Sequence, residues 1–196
     1  MRTPFFLSFL ILLLALISTH AKNHNAPRKE LVRTSCAHAS YPAICLRTLS
    51  SYSGVVTNLS DLAKAGVKVS LSRSKAASNF LAQLKSQSKK EQGAVRDCLE
   101  LIGNSMDELS QTLSELQKLQ SGDFRWHMSN VETWVSAALS NDNTCLDGFK
   151  EVEGYIRSDV KRKITNVARV TSNALYLIDL VDHSHGKTAD ISTGHN

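Results

Sequence analysis

The side chains that could carry chemistry in this sequence are few, and none stands in a catalytic pattern. No Gly-x-Ser-x-Gly turn, His-Glu-x-x-His pair or phosphate-cradling glycine loop occurs. The acidic pairs Asp107-Glu108 and Glu151/Glu153 fall on polar faces, where nothing desolvates them for acid–base work. His183 and His185 sit in a polar C-terminal stretch. His127 lies one place off an apolar seam and reads as a partly exposed histidine, or as a pH-sensitive contact. Trp126 and Trp134 are eight apart, close to two helical turns, and read as core-edge packing or as an exposed anchor for a partner. What remains is Trp134 to Phe149, WVSAALSNDNTCLDGF, where an apolar stripe meets a polar cluster beside Cys145.

The four cysteines, Cys36, Cys45, Cys98 and Cys145, allow three disulfide connectivities. Cys36 and Cys45 are close and flank the turn-prone Ser40-Tyr41-Pro42, which favours Cys36–Cys45 with Cys98–Cys145. By loop-closure entropy the two would stabilise by about 2.7 and about 4 kcal/mol. Zinc is disfavoured, since no Cys-x-x-Cys pair exists and no histidine sits at ligand spacing. No metal or cofactor is expected.

The elements around these residues are helical. Met1 to Ala21 has the layout of a secretory signal peptide: Arg2, an apolar run from Phe5 to Ile17, then Thr19 and Ala21 before a cut. That run is too short for a membrane anchor. Arg2 is its one charged side chain, so the net charge of +5 falls to +4 after cleavage. No membrane segment remains in the mature chain. Lys and Arg are scattered among acids, and with 6% aromatics nucleic-acid binding has little support. Asn58-Leu59-Ser60 is a glycosylation sequon, with Asn58 the acceptor.

Residues 27–50 are expected to form a helical hairpin, with Pro27 and Pro42 in first turns. Four apolar seams follow at spacings of three and four, with one step of seven in the first. The first is Leu59, Leu62, Gly66, Val69, Ala76, Phe80 and Leu84. The second is Val95, Leu99, Ile102, Met106, Leu109, Leu113 and Leu116. The third is Phe124, Met128, Val131, Val135, Ala138, Asp142, Cys145 and Phe149. The fourth is Val160, Ile164, Val167, Thr171, Ala174, Ile178 and Val181. Lys85–Gly93 is read as a turn. Gly122 and Asp123 read as C-cap and N-cap, and Ser158 or Asp159 as a cap for the fourth helix. Asp142 falls on a seam and is read as the point where the core pattern stops. Residues 183–196 are read as a flexible polar tail. The expected fold is all-α: an antiparallel up-down-up-down four-helix bundle over 22–182, with the N-terminal hairpin closed by Cys36–Cys45. Antiparallel packing brings Cys98, near the start of the second helix, to Cys145, near the end of the third. The small residues Ala63, Ala65, Gly66, Ala76 and Ala77 would let helices approach closely, leaving little room for a carried ligand.

Cys-x8-Cys around Tyr41-Pro42-Ala43-Ile44-Cys45, Asp97-Cys98-Leu99, and Ser136-Ala137-Ala138-Leu139 before Asn143-Thr144-Cys145-Leu146-Asp147-Gly148-Phe149 resemble the plant invertase and pectin methylesterase inhibitor family. The resemblance runs from about Glu30 to about Asp182. It implies a four-helix bundle with first-to-second and third-to-fourth disulfides, and action by binding an enzyme. Invertase inhibitors of the family carry Pro-Lys-Phe entering the third bundle helix, where this chain has Asp123-Phe124-Arg125-Trp126. The resemblance therefore favours pectin methylesterase as partner, in a one-to-one complex that covers its cleft, with cell-wall or vacuolar acid invertase as the alternative target. A free-standing bundle, monomeric when free and located in the apoplast or cell wall, is implied, with no esterase domain following. The implied interface is Glu100, Asn143, Thr144 and Asp147. Its carboxylates would face a carboxylate-bearing cleft, so tighter binding at mildly acidic pH is expected. A secreted structural or ligand-carrying bundle is the alternative of another class.

Overall fold

A computed structural model of the chain describes residues 26–86, 88–120 and 123–193, the side chains of 187–193 excepted. The expected signal peptide, residues 1–21, and the expected cap Gly122 lie outside the described residues. The described residues form six helices: α1 (26–36), α2 (Pro42–Ser50), α3 (Leu59–Ala82), α4 (Lys89–Lys118), α5 (Phe124–Gly148) and α6 (Tyr155–Thr193). Among the described residues there is no strand. Helices α3 to α6 form the bundle, each packed on its two neighbours in the ring α3–α4–α5–α6–α3. This is the up-down-up-down arrangement.

Local chemistry sets the helix ends. Asn58 caps α3 by accepting from Asp61 N at 2.9 Å. Ser88 and Glu91 form a reciprocal capping box at the start of α4. Helix α4 therefore begins at Lys89, inside the stretch expected to be a turn. Asp123 caps α5, accepting from Trp126 N at 3.2 Å. Helix α6 begins at Tyr155, not at Ser158 or Asp159. Gly154 takes the left-handed φ of +86° before it, a conformation that suits glycine. Ser158 donates within that first turn to Tyr155 O.

The α1–α2 hairpin is closed by Cys36–Cys45, with Cα atoms 5.5 Å apart. It lies against α3 and α6. The Asn173 side chain grips the Tyr41 backbone through two hydrogen bonds. Arg28 donates to the carbonyls of Leu49 and Tyr52, tying α1 to the end of α2. Helix α6 runs past Asp182 to Thr193, where a flexible tail was expected. No proline interrupts that stretch, Ser184 and His183 bond back to the preceding turn, and His185 stacks on Phe124 with centroids 3.6 Å apart.

The α6 seam is buried at all seven expected positions. The α5 seam is buried from Met128 to Phe149, with Phe124 half-buried. Two seams differ. On α3 the buried row after Gly66 is Ser70, Ser74, Ala77 and Leu81, not Val69, Ala76, Phe80 and Leu84. On α4, Ser105 and Thr112 are buried where Met106 and Leu113 are only half-buried. Close approach supports the α3 phase: a Cβ on Gly66 would lie 3.1 Å from Leu177 Cδ1 and 3.4 Å from Ala174 Cα.

Asp142 explains the rest. Its side chain is fully buried in an unbroken helix, so the core does not stop there. Ser105 donates to its Oδ1 at 3.0 Å and Thr171 to its Oδ2 at 2.9 Å. Thr171 and Ser70 share a 2.6 Å bond. One residue from each bundle helix thus joins a hydrogen-bonded layer. On one side lies an apolar cluster with Leu109, Val131 and Leu177, and on the other one with Ile102, Val160 and Cys145. A buried serine row on α3 and α4 is what this layer requires, since buried polar groups need partners.

Burial drives the Asp142 carboxyl up to about pH 7, against the lowering effect of the Thr171 and Ser105 bonds; Glu108 adds a smaller push upward. The native core therefore keeps a proton that the unfolded chain releases near pH 4. Between those two values each rise in pH lowers stability, by up to about 1.4 kcal/mol per unit, and above about pH 7 this loss levels off. Asp142→Asn should keep the layer, with the amide donating to Thr171. The variant should lose most of the fall in melting temperature that the parent shows from pH 4.5 to 7.5. Parallel slopes would refute the assignment. Replacing Cys98 and Cys145 by Ser opens a loop of sequence separation 47 and should cost about 4 kcal/mol by chemical denaturation. A loss below about 1 kcal/mol would show that packing alone holds that end.

Candidate functional site

The end of the bundle that holds Cys98–Cys145 is built from the start of α4 and the end of α5. The capping box starts α4 three turns before its cysteine, and Asp123 starts α5 at the far end. The disulfide joins the two helices with Cα atoms 4.6 Å apart. A cleft of about 290 Å³ lies over it, with Lys89, Lys90, Asp97, Thr144 and Gly148 on its walls.

The four residues named from the sequence are all exposed, and they do not form one cluster. Thr144 lines the cleft on the α4 side of α5, its hydroxyl donating to Ser140 O at 2.8 Å. Asp147, one turn on, lies on the α6 side of Thr144. It pairs with Lys150 at 2.8 Å, both largely in water, so the pair contributes little to stability. It also borders a cavity of about 210 Å³ with Arg157, Lys161 and Thr165. Asn143 is exposed on the outward face of α5. Glu100 follows Cys98 by two residues, a turn of about 200°. Its side chain points away from the core, apart from the cleft.

The groove between α4 and α5 holds further residues, and Glu108, expected on a polar face with nothing to desolvate it, is half-buried there. Asp97 and Leu101 line the cleft opposite Thr144. Asn141 donates to Glu108 at 2.8 Å. Burial raises the Glu108 carboxyl above its ordinary range, a shift that the Asn141 bond opposes. Farther along, Glu115 takes bonds from Lys118 and His127, each at 2.7 Å, and from Asn130 at 3.4 Å. Lys118 first, and His127 next, hold its carboxyl down to about 2. His127 is therefore a half-buried partner inside this ladder. The signal was present in spacing: Glu108 and Glu115 are seven apart and Asn130 and Asn141 eleven, whole turns on facing helices.

The same rim of α5 carries Trp126, Asn130, Thr133, Ala137, Asn141 and Thr144 at steps of three and four. Trp126 is 64% exposed and Trp134 38%. Both are open apolar side chains, Trp126 the more so. The arrangement offers no paired acid and base around a void. It offers a stiff two-helix face with hydrogen-bonded carboxylates, a projecting indole and a threonine fixed beside a disulfide. Such a face suits recognition of a macromolecule.

At the opposite pole a cavity of about 460 Å³ opens to solvent between Asn58, Leu119, Phe124, Val181 and His185. Asn58 is exposed, and its side chain is engaged as the α3 cap, with its amide donating to Thr57 Oγ1. At Gly66 and Ala174, in the bundle interior, α3 and α6 approach too closely for a ligand to sit between them.

Known proteins resemble this chain along most of its length. The family described as plant invertase/pectin methylesterase inhibitor matches residues 30–177. Pectinesterase inhibitor 3 of Arabidopsis thaliana is 48% identical over 184 residues, covering 89% of each chain. Pectinesterase inhibitor 9 of the same plant is 38% identical, covering 91% of this chain and 94% of its own. A crystal structure of a mutant pectin methylesterase inhibitor from Arabidopsis superposes with a TM-score of 0.61 at 21% identity, over 74% of this chain and 93% of that one, and shares the fold. By sequence match and bundle architecture together, the chain belongs to the plant invertase/pectin methylesterase inhibitor family.

Proposed function

We propose that this protein is a secreted inhibitor of pectin methylesterase that acts by covering the enzyme's cleft in a one-to-one complex. The observation that carries the reading is the 48% identity, across nearly the whole of both chains, to a relative named as a pectinesterase inhibitor. The bundle contributes rigidity. Two disulfides and a hydrogen-bonded core layer fix the backbone before contact, so little conformational entropy is lost on binding. The contact face is the Cys98–Cys145 end of α4 and α5. Thr144 lies at its centre beside the cleft; Asn143 and Asp147 extend it over the outward face of α5, and Glu100 stands apart on the outward face of α4. The protein is monomeric when free and works in the apoplast or cell wall after cleavage of residues 1–21. Asn58 carries a glycan there.

Purified protein mixed with a plant pectin methylesterase at mildly acidic pH should abolish methanol release at near-equimolar ratio, and should leave an acid invertase active. Loss of neither activity would overturn the reading, and loss of invertase activity alone would redirect it. Thr144→Arg puts a long cation beside the disulfide without touching the core. Inhibition should fall at least about a hundredfold, the loss of a well-packed contact at an interface centre, while the helical signal stays. Retained inhibition would move the contact face elsewhere.

A further inference from the structure

Lys and Arg are scattered among acids along the sequence, but the fold sorts them by side. From Asp97 to Gln117, α4 carries Asp97, Glu100, Asp107, Glu108 and Glu115 and no Lys or Arg. Helix α3 carries Lys64, Lys68, Arg73 and Lys75 against a single acid, Asp61. From Arg157 to Arg169, α6 adds five cations against Asp159. Since α3 packs on α6 and α4 on α5, the bundle has a basic side and an acidic side.

On the basic side the hairpin covers only part of the α3–α6 face. Beyond it two adjoining cavities, of about 340 and 240 Å³, meet at Arg73 and Ala76 and form one groove. One end presents Lys68, the hydroxyls of Ser51, Ser53 and Ser72, and the Tyr52 ring. The other presents Arg162, Lys163 and Asn166. No carboxylate lines either cavity. Arg162 is held by Asp159 at 2.9 Å, and Lys163 lies over the Phe80 ring, 5.5 Å from its centroid. Lys68 and Arg73 have no ion-pair partner among the described residues. Their Cα atoms stand about 7 to 8 Å apart along α3. Cations meet carboxylates, hydroxyls and amides meet sugar hydroxyls, and ring faces meet the apolar side of a pyranose.

We propose that the α3–α6 groove binds an acidic polysaccharide that bears a carboxylate on its sugars, while the α4–α5 side engages the enzyme. The choice of a uronate polymer among polyanions rests on the esterase reading. Hydrolysis of a methyl ester on that polymer leaves a carboxylate on the sugar and releases methanol. The two faces lie on different sides of the bundle, so both can be occupied at once. An anionic membrane fits less well: the exposed large apolar side chains, Tyr41, Leu46, Val55, Trp126, Trp134 and Tyr155, all lie outside the groove lining, leaving nothing there to insert.

The test is calorimetric titration of the purified protein, without any esterase, into de-esterified polygalacturonate and into its fully methyl-esterified form. The de-esterified polymer should bind at least about tenfold tighter, and the preference should shrink at high salt. The double variant Arg73→Glu/Lys163→Glu should lose that binding by about tenfold or more and keep its helical signal and its inhibition of the esterase. If its melting temperature drops, Lys68→Gln/Arg73→Gln supplies the same comparison with a milder change. Equal binding of both polymers, or unchanged binding by the folded variants, overturns the proposal. So does equally tight binding to phosphatidylserine vesicles or duplex DNA at matched charge. Failure to inhibit esterase with intact, charge-selective polymer binding would instead remove the inhibitor reading and leave the groove assigned.

Discussion

The buried carboxyl of Asp142 is the constraint that the rest of the bundle is arranged around. A carboxyl in an apolar core is stable only with hydrogen-bond partners and, over most of the acidic range, with its proton. Ser105 and Thr171 supply the partners, and Ser70 completes the chain to the fourth helix. Each of those residues has one position on its helix from which it can reach the layer. A rotation of any bundle helix by one residue would leave a polar atom in the core without a partner. Four helices with interchangeable Leu, Ile and Val seams would tolerate several registers, whereas this layer tolerates one. No buried side-chain polar atom lacks a partner among the described residues.

The disulfides act at other places and in another way. Cys36–Cys45 closes a hairpin too short to persist alone, and Asn173 and Arg28 then fasten it. Cys98–Cys145 joins the two helices whose outer face is the proposed contact face. Helix register is thus set at mid-bundle by hydrogen bonds, and the spacing of α4 and α5 is set at one end by a covalent bond. The ladder of Glu108–Asn141 and Glu115–His127 continues that restraint along the α4–α5 groove.

Much of this was readable from residue spacing. The seams of α5 and α6 follow strict steps of three and four, because apolar residues there face the core with no exception other than Asp142 and Thr171. Those two exceptions are also where the reading failed. Treating Asp142 as an interruption hid the need for hydroxyls opposite it, and so α3 was given Val69 and Phe80 instead of Ser70 and Ser74. On α4 the same omission promoted Met106 over Ser105. Apolar periodicity cannot register a polar layer, since serine scores as surface until its partner is known. The start of α4 was misplaced for a local reason: Lys89-Lys90 look like a loop, while Ser88 and Glu91 close a capping box around them. At the contact face, sequence motifs located Thr144 beside its disulfide. They could not say that Glu100 turns outward or that Asp147 lies on the α6 side of Thr144, since direction depends on how each helix is rotated about its axis.

Asn58 has two roles that are usually discussed apart. Its Oδ1 accepts the Asp61 amide and starts α3, while its Nδ2 is the atom a glycan would use. The two atoms are different, so a sugar there leaves the cap in place. A glutamine at this position would remove acceptor and cap together. Its phenotype would then mix the loss of a carbohydrate with about 1 kcal/mol of frayed helix. Ser60 completes the sequon from inside the first turn, and alanine there would silence glycosylation while Asn58 goes on capping. Helix initiation and sugar attachment are therefore separable at neighbouring residues.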